Sequence, residues 1–253
     1  MRIDADCHLA APDSGTGIGA DELLRRLDDA QVDRAITWPM VTYTREIAPD
    51  NKAINAAFRA HPDRIIPFAG VNPMLGIDVA HDELERCIEE FGVQGVKLNG
   101  ARDGYYIDDP KLSLPLIERI AEAGLVLAFH CGSNDFERTH PYRIAKISDR
   151  FPDLRIMVVH MGGSGIPDIA DAVADLAREY TNWWLIDSEV DYRKIHSALA
   201  TLGPDRVCYG SDTPFCPMRF EWGMRQVIYQ DLSEDEQALV FGGNIARMLG
   251  IDE

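Results

Sequence analysis

Short apolar runs rich in β-branched residues alternate with longer stretches of helical period, and the alternation persists along the whole chain. The apolar runs predict eight strands, near 2–9, 33–39, 64–71, 93–99, 125–130, 154–160, 182–188 and 206–211. Between them Asp21–Ala30, Asp82–Phe91 and Leu112–Ala123 place apolar residues at helical spacing, the pattern of helices that coat a sheet with one face. The returns to the next strand are short and end on Gly or Pro, as in Ala123-Gly124, Phe151-Pro152 and Leu202-Gly203-Pro204. The connections leaving the strands are longer and chemically varied: Trp38 to Asp50, Asn99 to Pro110, Cys131 to Pro141 and Thr213 to Trp222. Eight such units in 253 residues predict a single α/β domain, residues 1–253, folded as a (β/α)8 TIM barrel with function on the strand-end loops. An open doubly wound sheet is the competing architecture, and no glycine-rich nucleotide fingerprint supports it.

Composition narrows the partners. Hydrophobic residues at 46% and charged residues at 26% suit a chain that buries a substantial core. A formal net charge of −17 repels phosphate backbones and anionic lipid, which argues against nucleic acid or membrane and for a small-molecule substrate. The N-terminus has no apolar signal core and no stretch approaches the ~18 apolar residues of a spanning helix, so the expected compartment is the cytoplasm. Cys7, Cys87, Cys131, Cys208 and Cys216 are scattered without a C-x-x-C pair, which predicts buried small apolar residues rather than disulfides. Cys131 and Cys216 fall near the active face, but neighbouring carboxylates oppose a nucleophilic thiolate there.

Chemistry gathers at the strand ends. In the first strand, Ile3-Asp4-Ala5-Asp6-Cys7-His8, a period of two puts Asp4, Asp6 and His8 on one face and Ile3, Ala5 and Cys7 on the other. Buried polar groups of this kind are costly unless paired, hydrogen-bonded or bound to metal. The plainer reading is an exposed edge strand. The fifth and sixth strands stay apolar until they end in His130 and His160, and the eighth runs into Asp212 ahead of Pro214. One strand-end histidine is commonly a satisfied core residue, and Asp212 alone reads as a turn or cap. Together with His8 they read as a site. Imidazole and carboxylate are the ligands of a catalytic divalent ion that keeps a position open for water or substrate. His61, His81 and His196 lie on helices or returns and fit structural roles, with His140 intermediate.

On these residues the chain resembles the amidohydrolase superfamily, in its mononuclear branch of aminocarboxymuconate-semialdehyde and aromatic-acid decarboxylases and pyrone-dicarboxylate lactonase. The resemblance spans nearly the whole chain. It rests on Ile3-Asp4-x-Asp6-x-His8, Gly95-Val96-Lys97-Leu98, His130, His160-Met161-Gly162-Gly163, Gly210-Ser211-Asp212-x-Pro214 and Gly242-Gly243-Asn244-Ile245-Ala246-Arg247. The family's first strand carries His-x-His, and this chain has Asp6 at the first of those histidines. A carboxylate there keeps a ligand, adds negative charge and favours a harder ion such as Mn²⁺. The lactonase relatives imply that a metal-free site is the alternative. A carbamylated Lys97 bridging two metals, as in binuclear members, is disfavoured; carboxylate binding or pairing with Asp4 is the plainer role.

The expectation is therefore one divalent ion, Zn or Mn, held by Asp6, His8, His130 and Asp212, with Asp212 and His160 as catalytic residues. Lys97, Asn99, Tyr105 and Asn134 are expected to contact substrate, and Arg45, Arg102, Tyr106, Arg143 and Arg219 share the same loops. The leading reaction is hydrolysis of an amide, ester or lactone in a small carboxylate-bearing substrate. Non-oxidative decarboxylation of an aromatic or unsaturated acid uses the same residues, and a non-catalytic ligand-binding barrel is the reading of another class. An apolar face around Trp222 and Met224 fits a homodimer contact or a lid equally well.

Overall fold

The computed structural model describes residues 1–15, 17–40, 46–132, 134–215 and 219–251. Eight strands form one parallel sheet in sequential order: β1 (Ile3–Leu9), β2 (Arg34–Pro39), β3 (Ile65–Gly70), β4 (Gly95–Leu98), β5 (Val126–Gly132), β6 (Ile156–Ser164), β7 (Trp183–Ile186) and β8 (Val207–Cys208). All eight predicted strands are present, and the sheet curls into a (β/α)8 TIM barrel rather than opening. Each parallel step is covered by helices of the expected period. Helix Ala20–Ala30 buries Leu23 and Leu27, helix Leu114–Glu122 buries Leu116, Ile117 and Ile120, and helix Pro141–Arg150 buries Ile144 and Ile147. Each such side chain contributes about 2 kcal/mol by leaving water.

Two apolar layers result. Ala35, Ile65, Leu127, Phe129, Ile156, Val158 and Leu185 face outward onto the helices. Ile3, Ala5, Ile36, Ile66, Phe68, Val126, Ala128, Met157, Val159, Ile186 and Cys208 fill the barrel, and Ile245, Ala246 and Met248 of the C-terminal helix plug its lower end. Within the Gly-Gly-Asn motif, Asn244 Nδ2 donates to the carbonyls of Pro204 (2.6 Å) and Val207 (2.8 Å), fixing that helix beneath β8. Gly95 is required by the interior packing, because a Cβ there would stand 2.3 Å from the Phe68 ring.

The barrel closes where β8 is only two residues long, and side chains complete the seam. The backbone bridges Cys7 to Thr213, and Ala5 N–H donates to Tyr209 O at 3.0 Å. Asp4 Oδ1 accepts from the N–H groups of Asp6 (3.0 Å) and Ser211 (2.9 Å), and Asp187 Oδ1 accepts from Gly210 N–H (2.8 Å).

This seam corrects the predicted face of Asp4. Three steps along β1, from Asp4 to Cys7, pair with two along β2, from Ala35 to Thr37, so β1 carries a bulge. Below it Ile3 and Ala5 point into the barrel; above it Cys7 and Leu9 point outward. The phase flips within one strand. Asp6 and His8 therefore enter the barrel while Asp4 stays in the wall. Its Oδ2 has no partner among the described residues, and burial raises its pKa from the ordinary aspartate value to about 7 against the hydrogen bonds at Oδ1.

A carboxyl whose folded pKa is raised stabilises the fold fully below its unfolded pKa and loses that contribution as pH rises through the folded value. Asp187 and His8, also raised, act in the same direction, whereas the depressed Asp6 matters only in acid. Thermal stability is thus expected to fall between about pH 4 and 7, the window set by Asp4, by up to ~1.4 kcal/mol per pH unit for each proton lost. Asp4→Asn is expected to flatten that decline. Melting curves across the range check it, and an unchanged slope in the variant would refute the assignment.

Candidate active site

Above the apolar filling, the mouth of the barrel is lined by polar groups. Asp6, His8, His130, His160, Lys97, Ser188 and Asp212 are all buried, each under a tenth exposed. Strand phase explains some of them: His130 follows Val126 and Ala128 on the inner face, and Lys97 alternates with the outward Val96 and Leu98. His160 does not fit its strand's phase, since Met157 and Val159 already point inward. Its backbone turns left-handed, φ 61°, as does Met161 at φ 47°. That turn re-aims the imidazole into the barrel and sends Met161 outward to the helices. Asp212 is left-handed as well, at φ 57°. Such conformations cost of order 1–3 kcal/mol each in non-glycine residues and concentrate at functional sites. Gly210 clears space behind them: a Cβ there would stand 2.6 Å from Ile186 and 3.0 Å from Asp6.

Asp6 is the centre of the arrangement. Its Oδ1 lies 3.4 Å from Lys97 Nζ and 3.5 Å from His8 Nε2; its Oδ2 accepts from Ser188 Oγ at 2.5 Å and lies 3.8 Å from His160 Nδ1. Burial opposes its charge, but the Lys97 ammonium, the His8 hydrogen bond and both imidazoles hold its carboxyl well below the usual range. Burial in turn pulls the Lys97 pKa below its ordinary value. The ammonium sits 3.7 Å above the Trp38 ring, and the Trp38 indole donates to His8 Nε2 at 3.1 Å.

The indole hydrogen needs a lone pair on Nε2, so the His8 proton is on Nδ1, which is 3.0 Å from Pro39 O. Burial and Lys97 work against a second proton on this ring; Asp212, whose Oδ1 is 3.4 Å away, and Asp6 more than offset them and raise the His8 pKa. The His130 ring packs edge-on against His160, centroids 4.9 Å apart, and the Phe215 ring packs edge-on against His8 at 5.0 Å.

Asp6, His160 and Asp212 each offer a ligand atom within 4.8 Å of the others, and His8 Nε2 faces both carboxylates. A buried set of carboxylate oxygens and imidazole nitrogens fits a divalent ion of borderline or hard character. The structure thus gathers all five strand-end residues. It brings His160 closer to the two carboxylates than the sequence suggested, alongside the expected Asp6, His8 and Asp212.

The expected substrate contacts divide. Lys97 belongs to the cluster. Asn99 Oδ1 accepts from Arg102 N–H at 3.0 Å, capping a short helical turn. Tyr105 is 2% exposed and its hydroxyl has no partner among the described residues, while Asn134 is exposed with φ 81°. The Arg102 guanidinium forks onto Asp103. Arg143 packs over Tyr106 at 4.3 Å and binds Asp108 at 2.7 Å, away from the cluster. His140 accepts from Tyr142 N–H and caps a helix. Burial pushes the Cys131 thiol up, as expected of a packed cysteine. Arg45 and Cys216 lie outside the described residues, as does the Arg219 side chain.

Sequence reading missed Trp38 and Ser188. Trp38 gave the signal of a large polar-tipped ring at an inner strand end, and Ser188 that of a hydroxyl two residues beyond the inward Ile186.

An eight-stranded parallel barrel with carboxylates and imidazoles meeting at its strand ends defines the class of the protein, a (β/α)8 barrel with a buried cluster of side chains that could hold a metal ion. The chain belongs to the amidohydrolase family, whose model matches residues 3–251. It is 24% identical over 237 residues to 2-amino-3-carboxymuconate-6-semialdehyde decarboxylase of Dictyostelium discoideum, a match covering 80% of this chain and 66%, just under two thirds, of that protein. Among solved structures it resembles 2,6-dihydroxybenzoate decarboxylase from Rhizobium, with 19% identity, a TM-score of 0.80 and coverage of 100% of this chain and 99% of that one. It also resembles a dihydroxybenzoic acid decarboxylase from Polaromonas with bound manganese and the inhibitor 2-nitroresorcinol, with 19% identity, a TM-score of 0.75 and coverage of 100% and 97%. Among the described residues no helix is long and apolar enough to cross a membrane.

Metal must displace the indole hydrogen from Nε2 of the neutral His8 ring or, in the doubly protonated ring that Asp212 and Asp6 favour, the proton on that nitrogen. Affinity for Mn²⁺ is therefore expected to rise between about pH 6 and 8. Trp38→Phe is expected to tighten it further. Titration calorimetry on chelator-treated protein measures both, and a pH-independent affinity equal in the two proteins would count against His8 as a ligand.

Proposed function

We propose that the protein is a metal-dependent decarboxylase that removes carbon dioxide, without oxidation, from a small aromatic or unsaturated acid. The observation that carries this reading is the pairing of a buried proton-handling cluster with an aromatic wall: Phe215 stands edge-on to His8, half exposed at the mouth. A planar substrate that presents its acid group to the cluster lies against that ring. The relatives named above are decarboxylases, one of them with manganese bound, which favours this chemistry over the hydrolysis that the residues alone put first.

Asp6, His8, His160 and Asp212 would hold the ion, with His130 beside them, and Mn or Zn suits these donors. Bound there, it would act as a Lewis acid on the substrate's oxygens. Asp212, once it has taken up a proton from a substrate hydroxyl or from water, delivers it to the carbon bearing the carboxylate. The bond to the carboxyl carbon then breaks, its electron pair restores the π system, and carbon dioxide leaves. Tyr105 and Lys97 are the proposed hydrogen-bonding contacts to substrate, with Asn134 at the rim.

A panel of hydroxylated benzoates, muconate-type acids, lactones and amides, scored for carbon dioxide against acid release, tests the reading. Carbon dioxide release that stops on chelation and returns with Mn²⁺ or Zn²⁺ is expected, and Asp212→Asn should lower kcat by roughly 10²–10⁴-fold. Acid release from lactones or amides without carbon dioxide would replace this reading with the hydrolase. Silence across the panel would leave the ligand-binding barrel.

A further inference from the structure

Asp6 and His160 are joined by a residue to which the chemistry above gives no task. Ser188 is 2% exposed and lies two residues beyond β7, in phase with the inward Ile186. Its Oγ is 2.5 Å from Asp6 Oδ2 and 2.9 Å from His160 Nδ1, and its carbonyl oxygen is 3.1 Å from the same nitrogen.

A hydroxyl has one proton to give. The contact to Asp6 has the length of an O–H···O⁻ bond to an ionised carboxylate, so the proton lies there. Ser188 Oγ then meets His160 with lone pairs only, and the carbonyl can do nothing but accept. Nδ1 faces two acceptors and must donate. The neutral ring is thereby held with its proton on Nδ1 and its lone pair on Nε2, the nitrogen left for metal or substrate.

We propose that Ser188 is a positioning residue that fixes the tautomer of His160 and, through its hydroxyl, ties that ring to the carboxylate of Asp6. Two consequences follow for the site. The Ser188 hydrogen bond at Oδ2 fixes the orientation of the Asp6 carboxylate. His160 meets the ion or the substrate through the lone pair on Nε2. The tautomer stands on the hydrogen bonds alone; the kinetic consequence rests on the decarboxylase reading.

The two parts are tested separately. Long-range ¹H–¹⁵N spectra of the full chain labelled at its histidines, with His160 assigned by loss of its signals in His160→Gln, should show the Nδ1–H form. An Nε2–H form would overturn the proposal whatever the protein's activity. In Ser188→Ala the carbonyl bond survives and the Nδ1 proton should move upfield. With a decarboxylated substrate, Ser188→Ala should lower kcat about 10- to 100-fold with KM little changed, the usual loss when a partner of a metal-site residue is removed. Ser188→Thr should restore most of it, and Ser188→Ala should add little to His160→Gln. A kcat equal to wild type in Ser188→Ala, or a full additive loss on top of His160→Gln, would refute the coupling while leaving the decarboxylase reading intact. Absence of turnover would sink that reading and leave the tautomer to the spectra.

Discussion

A carboxylate taken wholly out of water is the constraint around which the mouth of this barrel is built. Asp6 is fully buried, and an isolated charge there would cost several kcal/mol. Lys97 answers it from β4, Ser188 from beyond β7, and the histidines of β1 and β6 crowd the remaining directions. Each of these partners is itself buried and needs an environment of its own. Lys97 finds the face of Trp38, and Trp38 spends its indole hydrogen on His8. The result is a network in which no member moves independently, as a site that must hold geometry requires.

The network stands on an apolar floor. Phe68, Val126, Met157, Val159 and Ile186 pack the barrel beneath it, and Gly95 lets the Phe68 ring fill the space that a side chain on β4 would take. Rigid packing below and strong, low-dielectric electrostatics above are two faces of one design: the floor excludes the water that would otherwise screen Asp6 from Lys97. The seam between β7, β8 and β1 shares this economy. Where the backbone ladder runs out after two residues of β8, Asp4 and Asp187 supply the missing acceptors from within the wall.

Much of this was legible in the sequence. The eight apolar runs located every strand, and the abrupt polar residue at the end of an apolar run located His130, His160 and Asp212. What a period of two could not supply was phase across an irregularity. The bulge in β1 leaves no sequence mark, so Asp4 read as a companion of Asp6 although the extra residue sends it to the other side. His160 reached the interior through a backbone conformation rather than through its strand's alternation. Trp38 and Ser188 escaped notice for another reason: their importance lies in hydrogen bonds to residues 30 and 28 positions away in the chain, His8 and His160, and pairings at that distance have no local signature.

The left-handed backbone at His160 and Asp212 also bears on what this scaffold can become. Side chains branched at Cβ are all but excluded at such positions, and asparagine, aspartate, histidine and glycine are the residues that enter them readily. Drift at these two sites is therefore channelled among small polar groups that can bind a metal or carry a proton, or towards glycine and silence. Diversity in substrate has to come from the loops around the mouth, while the pair at its centre is held to one narrow chemical vocabulary by the shape of the main chain alone.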